Sequence, residues 1–370
     1  MKKFLSILGV LLILGCDPFV TEFKDLSKAV MYEADSKSNE TYDSGTIKVV
    51  TWNIRFGIAR FPFFGDSCGD DVILDDATIE ENMAAIADSL NAMDADIVLL
   101  QEVDVSSKRT GYMDQVQYLL DSTNLNYGCY ASMWKADFIP SDGIGRIDAG
   151  NAILSKYELT DAERIQLDLR TDQDGLTQYF YLRRNIVKAK IPALAQGAKD
   201  FYAVDIHATA FATDDTKQKH IDTYVETLSD IRSSGALFVT GGDLNSVPPG
   251  SVTDFCLSDM CASEDYHTDG AEEYHKEGSY FENFEGEPDI LLPLYNAYNS
   301  AIDSADVNLP IHLTHGPSTS YEINDIKFDR KLDYLFTNGS WIDSLSQTHQ
   351  DAWELSDHLP VSAVLSAEDD

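Results

Sequence analysis

VTGGDLNSVP, residues 239–248, ends an apolar run on two glycines and then places an acid and an amide two positions apart, Asp243 and Asn245. Residues two apart in an extended chain project to the same side, so the carboxylate and the carboxamide converge even where the strand is ending. Gly241 and Gly242 carry no side chain, and the expectation is that they leave the backbone open to a closely approaching phosphate.

The same arrangement recurs along the chain. TWN ends at Asn53, LLQE at Glu102, VDIH at His207, KLDY contains Asp333, and SDH holds Asp357 and His358. A single acid or amide at a strand end is ordinarily a turn or capping residue. Six such ends, all acid, amide or imidazole, suggest instead a rigid sheet aiming functional groups from its loops.

The periodicity supplies the sheet. Strands are expected at 47–52, 97–101, 127–133, 151–154, 178–191, 201–206, 235–240, 332–337 and 361–365. Helices are expected at 78–93, with Ile79, Met83, Ile86, Leu90 and Met93 on one face, and at 216–232, with Ile221, Tyr224, Val225, Leu228 and Ile231 on one face. Alternation of such pieces points to an α/β sandwich. No internal repeat or second-domain linker is visible.

The chemistry that uses this residue set is hydrolysis of a phosphate ester. The anionic ester repels nucleophiles, so it needs a divalent cation on a non-bridging oxygen, an acceptor or orienter for the water, and donors for the crowded transition state. Glutamate offers a metal ligand, an Asp beside an Asn can hold and deprotonate water, and a His held by an Asp can stay charged. Oxygen ligands favour Mg2+ or Mn2+ over zinc.

Seven segments in order resemble the endonuclease/exonuclease/phosphatase superfamily: VVTWNIRFG (49–57), LLQEVD (99–104), GNAILSK (150–156), VDIHATAFATDDTKQKHI (204–221), GGDLNSVP (241–248), DRKLDYLF (329–336) and SDHLPVSA (356–363). The resemblance spans about 47 to 366. It implies a four-layer α/β sandwich, two packed, mostly antiparallel mixed sheets flanked by helices, with the domain at 46–368. It further implies Glu102, Asn53 and Asp357 at the metal, and Asp243 as base or orienter of water. Asn53 and Asn245 would bind the phosphate, and His358, held by Asp333, would stabilise the phosphorane together with His207. The chain departs from the family in lacking leucine after His207, in lacking an arginine on the next helix, where Lys217 and Lys219 stand nearby, and in having no evident partner carboxylate for His207. The implied substrate is a phosphodiester. A nuclease-like activity comes first, and a phospholipid (sphingomyelinase-like) diesterase or an inositol-phosphate-type phosphatase is the alternative. A non-catalytic binding protein on the same fold is opposed by the presence of Glu102, Asp243 and His358.

His312 and His315 in IHLTHGPST (311–319) invite a metal reading, but a loop role is the simpler expectation. Arg183 and Arg184 could face phosphate, but strand alternation lets only one point inward, and a surface salt bridge is the expectation.

Composition constrains the rest. With 370 residues, 44% hydrophobic, the chain can bury a large core. A net charge of −36 argues against avid, nonspecific nucleic-acid binding. The start, MKKFLSILGVLLILGC, has two lysines and then an apolar stretch too short to span a bilayer. It resembles a lipoprotein signal at 1–15 with lipidation at Cys16, which would place the protein in a bacterial cell envelope, anchored to a membrane and outside the cytoplasm. Residues 16–45 would be a flexible tether. Cys68, Cys129, Cys256 and Cys261 are then an even set for disulfides, in any of three pairings. About 249–325 is expected to be an acidic insertion. Residues 259–289 hold 11 acids and one basic residue, Lys276, so Ca2+ is a candidate ligand there, although no EF-hand spacing supports it. The expected assembly is a monomer.

Overall fold

A computed structural model describes residues 26–38, 45–63, 71–140, 143–251, 287–316 and 328–366. The expected signal at 1–15, Cys16, Cys68, Cys256, Cys261 and most of the acidic segment, with its calcium candidate, lie outside the described residues.

Strand alternation with burial on both faces dictates the architecture. Along Thr46–Asn53, Val49 enters one apolar cluster and Val50 the opposite one. Along Ile97–Asp104, Leu99 joins the first cluster, while Val98 and Leu100 join the second. The first cluster also takes Val187, Ala203, Val239 and Leu335 from a second sheet, so it is the layer between sheets. On the outer faces, Ile79, Met83, Ile86 and Leu90 of the helix Asp76–Met93 cover one sheet. Ile221, Tyr224, Leu228 and Ile231 of the helix Thr216–Ser233 cover the other. The result is the expected helix–sheet–sheet–helix sandwich.

The first sheet runs Leu26–Lys28, Thr160–Gln166, Asn185–Lys190, Phe201–His207, Leu237–Asp243, Asp333–Thr337, Asn299–Ser300 from edge to edge. The second runs Ser340–Trp341, Val361–Ser366, Thr46–Asn53, Ile97–Asp104, Gly145–Ser155, Tyr127–Ile139, Val30–Glu33, and Gln347–Thr348 also pairs with Val361–Ser366. Phe201–His207 is parallel to Leu237–Asp243, and Thr46–Asn53 is parallel to Ile97–Asp104. These parallel pairs carry Asn53, His207 and Asp243 to one end of the sandwich.

Several expectations need correction. Part of the supposed tether is structure: Leu26–Lys28 and Val30–Glu33 are edge strands, one in each sheet. Part of the supposed insertion is core, because Leu291, Leu294, Ile302 and Val307 are buried. The strand expected over 178–191 is a helix, Gly175–Phe180, followed by the strand Asn185–Lys190. Asp174 starts that helix by accepting from the amides of Leu176 and Thr177. Cys129 is a buried free thiol in the layer between the sheets, pushed up to about 12 by burial, so no pairing through it is present.

The glycines before Asp243 serve the sheet rather than an incoming phosphate. A Cβ on Gly241 would lie 2.2 Å from the Tyr334 carbonyl oxygen. On Gly242, where φ is +139°, it would lie 1.9 Å from that of Ile206. Both neighbouring strands press on this stretch. Gly242→Ala should therefore destabilise the protein by about 3 kcal/mol or more. Urea denaturation measures this, and a loss under about 1 kcal/mol would show that the strands can part.

Candidate active site

Asn53, His207 and Asp243 each end a strand, and Asp333 begins one. Pairing sets Asp243 beside His207 on one side and Asp333 on the other. His358 precedes Val361–Ser366 and is tied to the Asn53 strand. The Trp52 indole N–H donates to its carbonyl at 3.1 Å, and Ser356 Oγ accepts from its amide while donating to the carbonyl of Asn53.

Glu102 reaches the site through a bulge. Pairing of Ile97–Asp104 with Gly145–Ser155 shifts register between Leu100 and Val103, and Glu102 takes φ +56°. Asn245 likewise has φ +47°, a conformation that asparagine tolerates better than glutamate. Left-handed backbone costs on the order of 1 kcal/mol or more and persists where its surroundings impose it. Beneath Glu102, Gln101 Nε2 donates to Asp205 Oδ1 at 2.6 Å, a polar tie between the two sheets. Burial raises the Asp205 carboxyl well above its usual range.

Asp243 is the hub. Its Oδ2 accepts from Asn53 Nδ2 at 3.1 Å and Asn245 Nδ2 at 3.1 Å, and it lies 3.3 Å from His207 Nε2 and 3.7 Å from His358 Nε2. Its Oδ1 accepts the Asn245 amide at 2.9 Å. His358 Nδ1 meets Asp333 Oδ2 at 2.9 Å, and Thr314 Oγ1 accepts from the amides of Leu332 and Asp333. The partner that His207 lacked in sequence is Asp243, with Glu102 Oε1 further away at 3.9 Å.

Electrostatics divides the two imidazoles. Burial, then the charge of Arg184, lowers His207 to about 4, so it is neutral and its Nε2–H donates to Asp243. Burial opposes charge on His358 as well, but Asp333 and Asp243 outweigh it and raise His358 to about 10. Burial would raise Asp243, yet His358 and His207 hold it well below the usual carboxylate range. An ionised carboxylate thus lies between a neutral and a charged imidazole.

Glu102 is raised to about 7 by burial, then by Asp357. Among the described residues, His207 is its one ion-pair neighbour within 4.0 Å. A half-buried carboxylate without a firm cationic partner, backed by amide and carboxylate oxygens, is a donor set that fits a hard divalent ion. Asp357 is less available than expected, because Arg55 Nε stands 3.3 Å from its Oδ2, and the Arg55 amide also donates to Asn53 Oδ1. Two compact donor trios are present among the described residues, His315–Asp357–His358 and Asp243–Asp333–His358, and Glu102 is in neither.

The site contains residues that sequence reasoning missed. Arg184 is 6% exposed, has no carboxylate partner among the described residues, and has an unpaired Nε; its charge acts on Glu102, His207 and His220. Arg183 and Arg184 precede their strand, so alternation does not govern them, and both are buried rather than on the surface. Arg183 turns back to the carbonyl of Tyr181. His220 anchors the loop after His207. Its Nδ1 accepts the Thr209 amide at 3.1 Å, and Nε2 donates to the Asp168 carbonyl at 2.8 Å.

The chain matches the Endonuclease/Exonuclease/phosphatase family over residues 50–358. It belongs to that family. It is accordingly a hydrolase of phosphoester bonds, from a family whose enzymes typically use divalent metals. The fold is similar to an endonuclease/exonuclease/phosphatase from Beutenbergia cavernae, at 15% identity and a TM-score of 0.53, over 87% of this chain and 71% of that one. It is also similar to a family protein from Leptotrichia buccalis, at 15% identity and a TM-score of 0.51, over 86% and 98%. At such identity the likeness is one of fold. No curated protein matches the chain.

His220 gives a test of the buried electrostatics. Burial lowers it to about 4 in the fold, against about 6.5 in an unfolded chain. Its contribution is complete above about pH 6.5 and is lost as pH falls toward 4, where the unfolded chain holds more protons. His220→Gln should reduce the slope of unfolding free energy against pH in that window, by up to about 1.4 kcal/mol per pH unit. Chemical denaturation at a series of pH values measures it, and an unchanged slope would contradict the neutral buried ring.

Proposed function

We propose that the protein is a divalent-metal-dependent phosphodiesterase in which Asp243 handles the attacking water. The observation that carries this reading is the ionised Asp243 carboxylate, held between neutral His207 and charged His358 beside Glu102. Asp243 orients a water and accepts its proton, while Asn245 fixes the carboxylate and the ester. His358, its charge sustained by Asp333, stabilises the negative oxygens of the phosphorane. His207 offers a neutral N–H, and Arg184 supplies a buried positive charge for the incoming anion.

Glu102 and Asn53 would hold Mg2+ or Mn2+, with Asp357 shared between the ion and Arg55. When bound, the ion neutralises a non-bridging oxygen and draws charge from phosphorus. Nucleic acid is the first substrate class. The net charge of −36 supports a second, a phospholipid headgroup or other small organic phosphate, because a long polyanion is repelled where a small ester is not.

Hydrolysis of bis-p-nitrophenyl phosphate with Mg2+ or Mn2+ tests the reaction. Asp243→Asn and His358→Ala should each lower kcat by about 100-fold or more while the fold is kept. A drop of two- or three-fold in either would remove that residue from the chemistry. Wild-type turnover no greater than that of Glu102→Ala would sink the metal-dependent reading. DNA, RNA, sphingomyelin and inositol phosphates, assayed side by side, separate the substrate classes.

A further inference from the structure

A third imidazole stands at this site and is left idle by the roles above. His315 sits in a short extended segment pinned on both sides. Thr314 and His315 donate their amides to the Arg330 carbonyl at 2.8 and 2.9 Å, and Leu359 donates to the Thr314 carbonyl at 2.7 Å. Gly316 donates to the Asp357 carbonyl at 3.2 Å, and Arg60 Nη2 donates to the Gly316 carbonyl at 3.1 Å. The backbone therefore fixes where the ring points. It lies against the His358 ring, with centroids 4.4 Å apart and planes tilted by 40°. A ring nitrogen of His315, a carboxylate oxygen of Asp357 and a ring nitrogen of His358 lie within 4.8 Å of one another.

The ring is not satisfied by its surroundings. Nδ1 is buried and has no hydrogen-bond partner among the described residues. Leaving a buried polar atom unpaired is unfavourable, so a ring that only filled space would be better apolar. The His358 imidazole, Arg330 and Arg60 bear on the ring ahead of the Asp243 carboxylate, and the Asp357 carboxylate stands within 4.8 Å of it. A hydrogen-bond acceptor placed beside the His358 ring would satisfy the unpaired nitrogen.

We propose that His315 is a substrate-contacting residue, donating a hydrogen bond to a phosphate oxygen of the ester beside His358. The inference rests on the phosphodiesterase reading and adds to it a third histidine contact. His315 has its own loop origin, apart from the strand ends that carry the other groups. No bond is made or broken at this ring; its part is to bind the anion and hold it against His358.

Inorganic phosphate is the probe, titrated calorimetrically into the full chain with Mg2+ present, alongside KM and kcat for bis-p-nitrophenyl phosphate. His315→Ala should weaken phosphate binding and raise KM about tenfold, with a smaller change in kcat. His315→Phe keeps a ring against His358 and should do no better than alanine, whereas His315→Gln, which keeps a donor, should recover part of the loss. Mn2+ affinity should be unchanged in all three. A His315→Phe protein that matches wild type makes the ring mere packing and overturns the inference. So does an unaltered His315→Ala protein, or one that loses Mn2+ affinity while keeping phosphate affinity. A wild type that neither binds phosphate nor cleaves the ester overturns the phosphodiesterase reading, and this inference with it.

Discussion

Everything at the head of this sandwich is arranged around one buried negative charge. A carboxylate taken out of water must be met by hydrogen bonds and positive charge or it takes up a proton. Asp243 is met by the Asn53 and Asn245 carboxamides, by the Asn245 amide and by two imidazoles. That set draws on both sheets, since Asn53 belongs to one and Asp243 and His207 to the other. The charge therefore also keeps the strand ends in register across the sandwich. Asp205 accepts from Gln101 and from the Ile206 backbone but has no imidazole beside it, and burial raises its carboxyl well above the usual range. Asp243, with His358 and His207 beside it, is held low instead.

The imidazoles show the same arithmetic from the other side. His207 and His358 both lie within 4 Å of Asp243 Oδ2, yet they hold opposite protonation. His358 has a second carboxylate, Asp333, on its Nδ1, while His207 Nδ1 has no partner among the described residues and feels Arg184. One acid thus has a neutral donor on one flank and a cation on the other. Around it, a protein of net charge −36 concentrates Arg55, Arg60, Arg184 and Arg330 near the pocket.

Much of this was legible in the sequence because its signals are local. A buried strand with a polar residue at its end is visible without tertiary information, and that pattern picks out Asn53, Glu102, His207, Asp243, Asn245, Asp333 and His358, which the fold brings together. The helices at 76–93 and 216–233 declared themselves by period. What was missed depended on long-range contacts. Arg184 becomes a site residue only because the chain before Asn185–Lys190 turns inward, and no periodicity encodes that turn. Leu26–Lys28 and Val30–Glu33 are too short and polar to read as strands until two sheet edges accept them. The reason offered for Gly241 and Gly242 was also misplaced, since the close approach they permit is that of neighbouring strands. The ion pair of Asp357 with Arg55 joins residues 302 positions apart, beyond any sequence pattern.

The proposed chemistry requires the two imidazoles to keep opposite charge states around Asp243, and nitrogen-15 NMR of the histidine rings, with His207 and His358 assigned by substitution, reads this directly. At pH 7 the His358 ring should show both nitrogens protonated, and the His207 ring one, with its proton on Nε2. Two neutral rings, or two that titrate together near pH 6.5, would contradict the placement of charge on which the proposed chemistry rests.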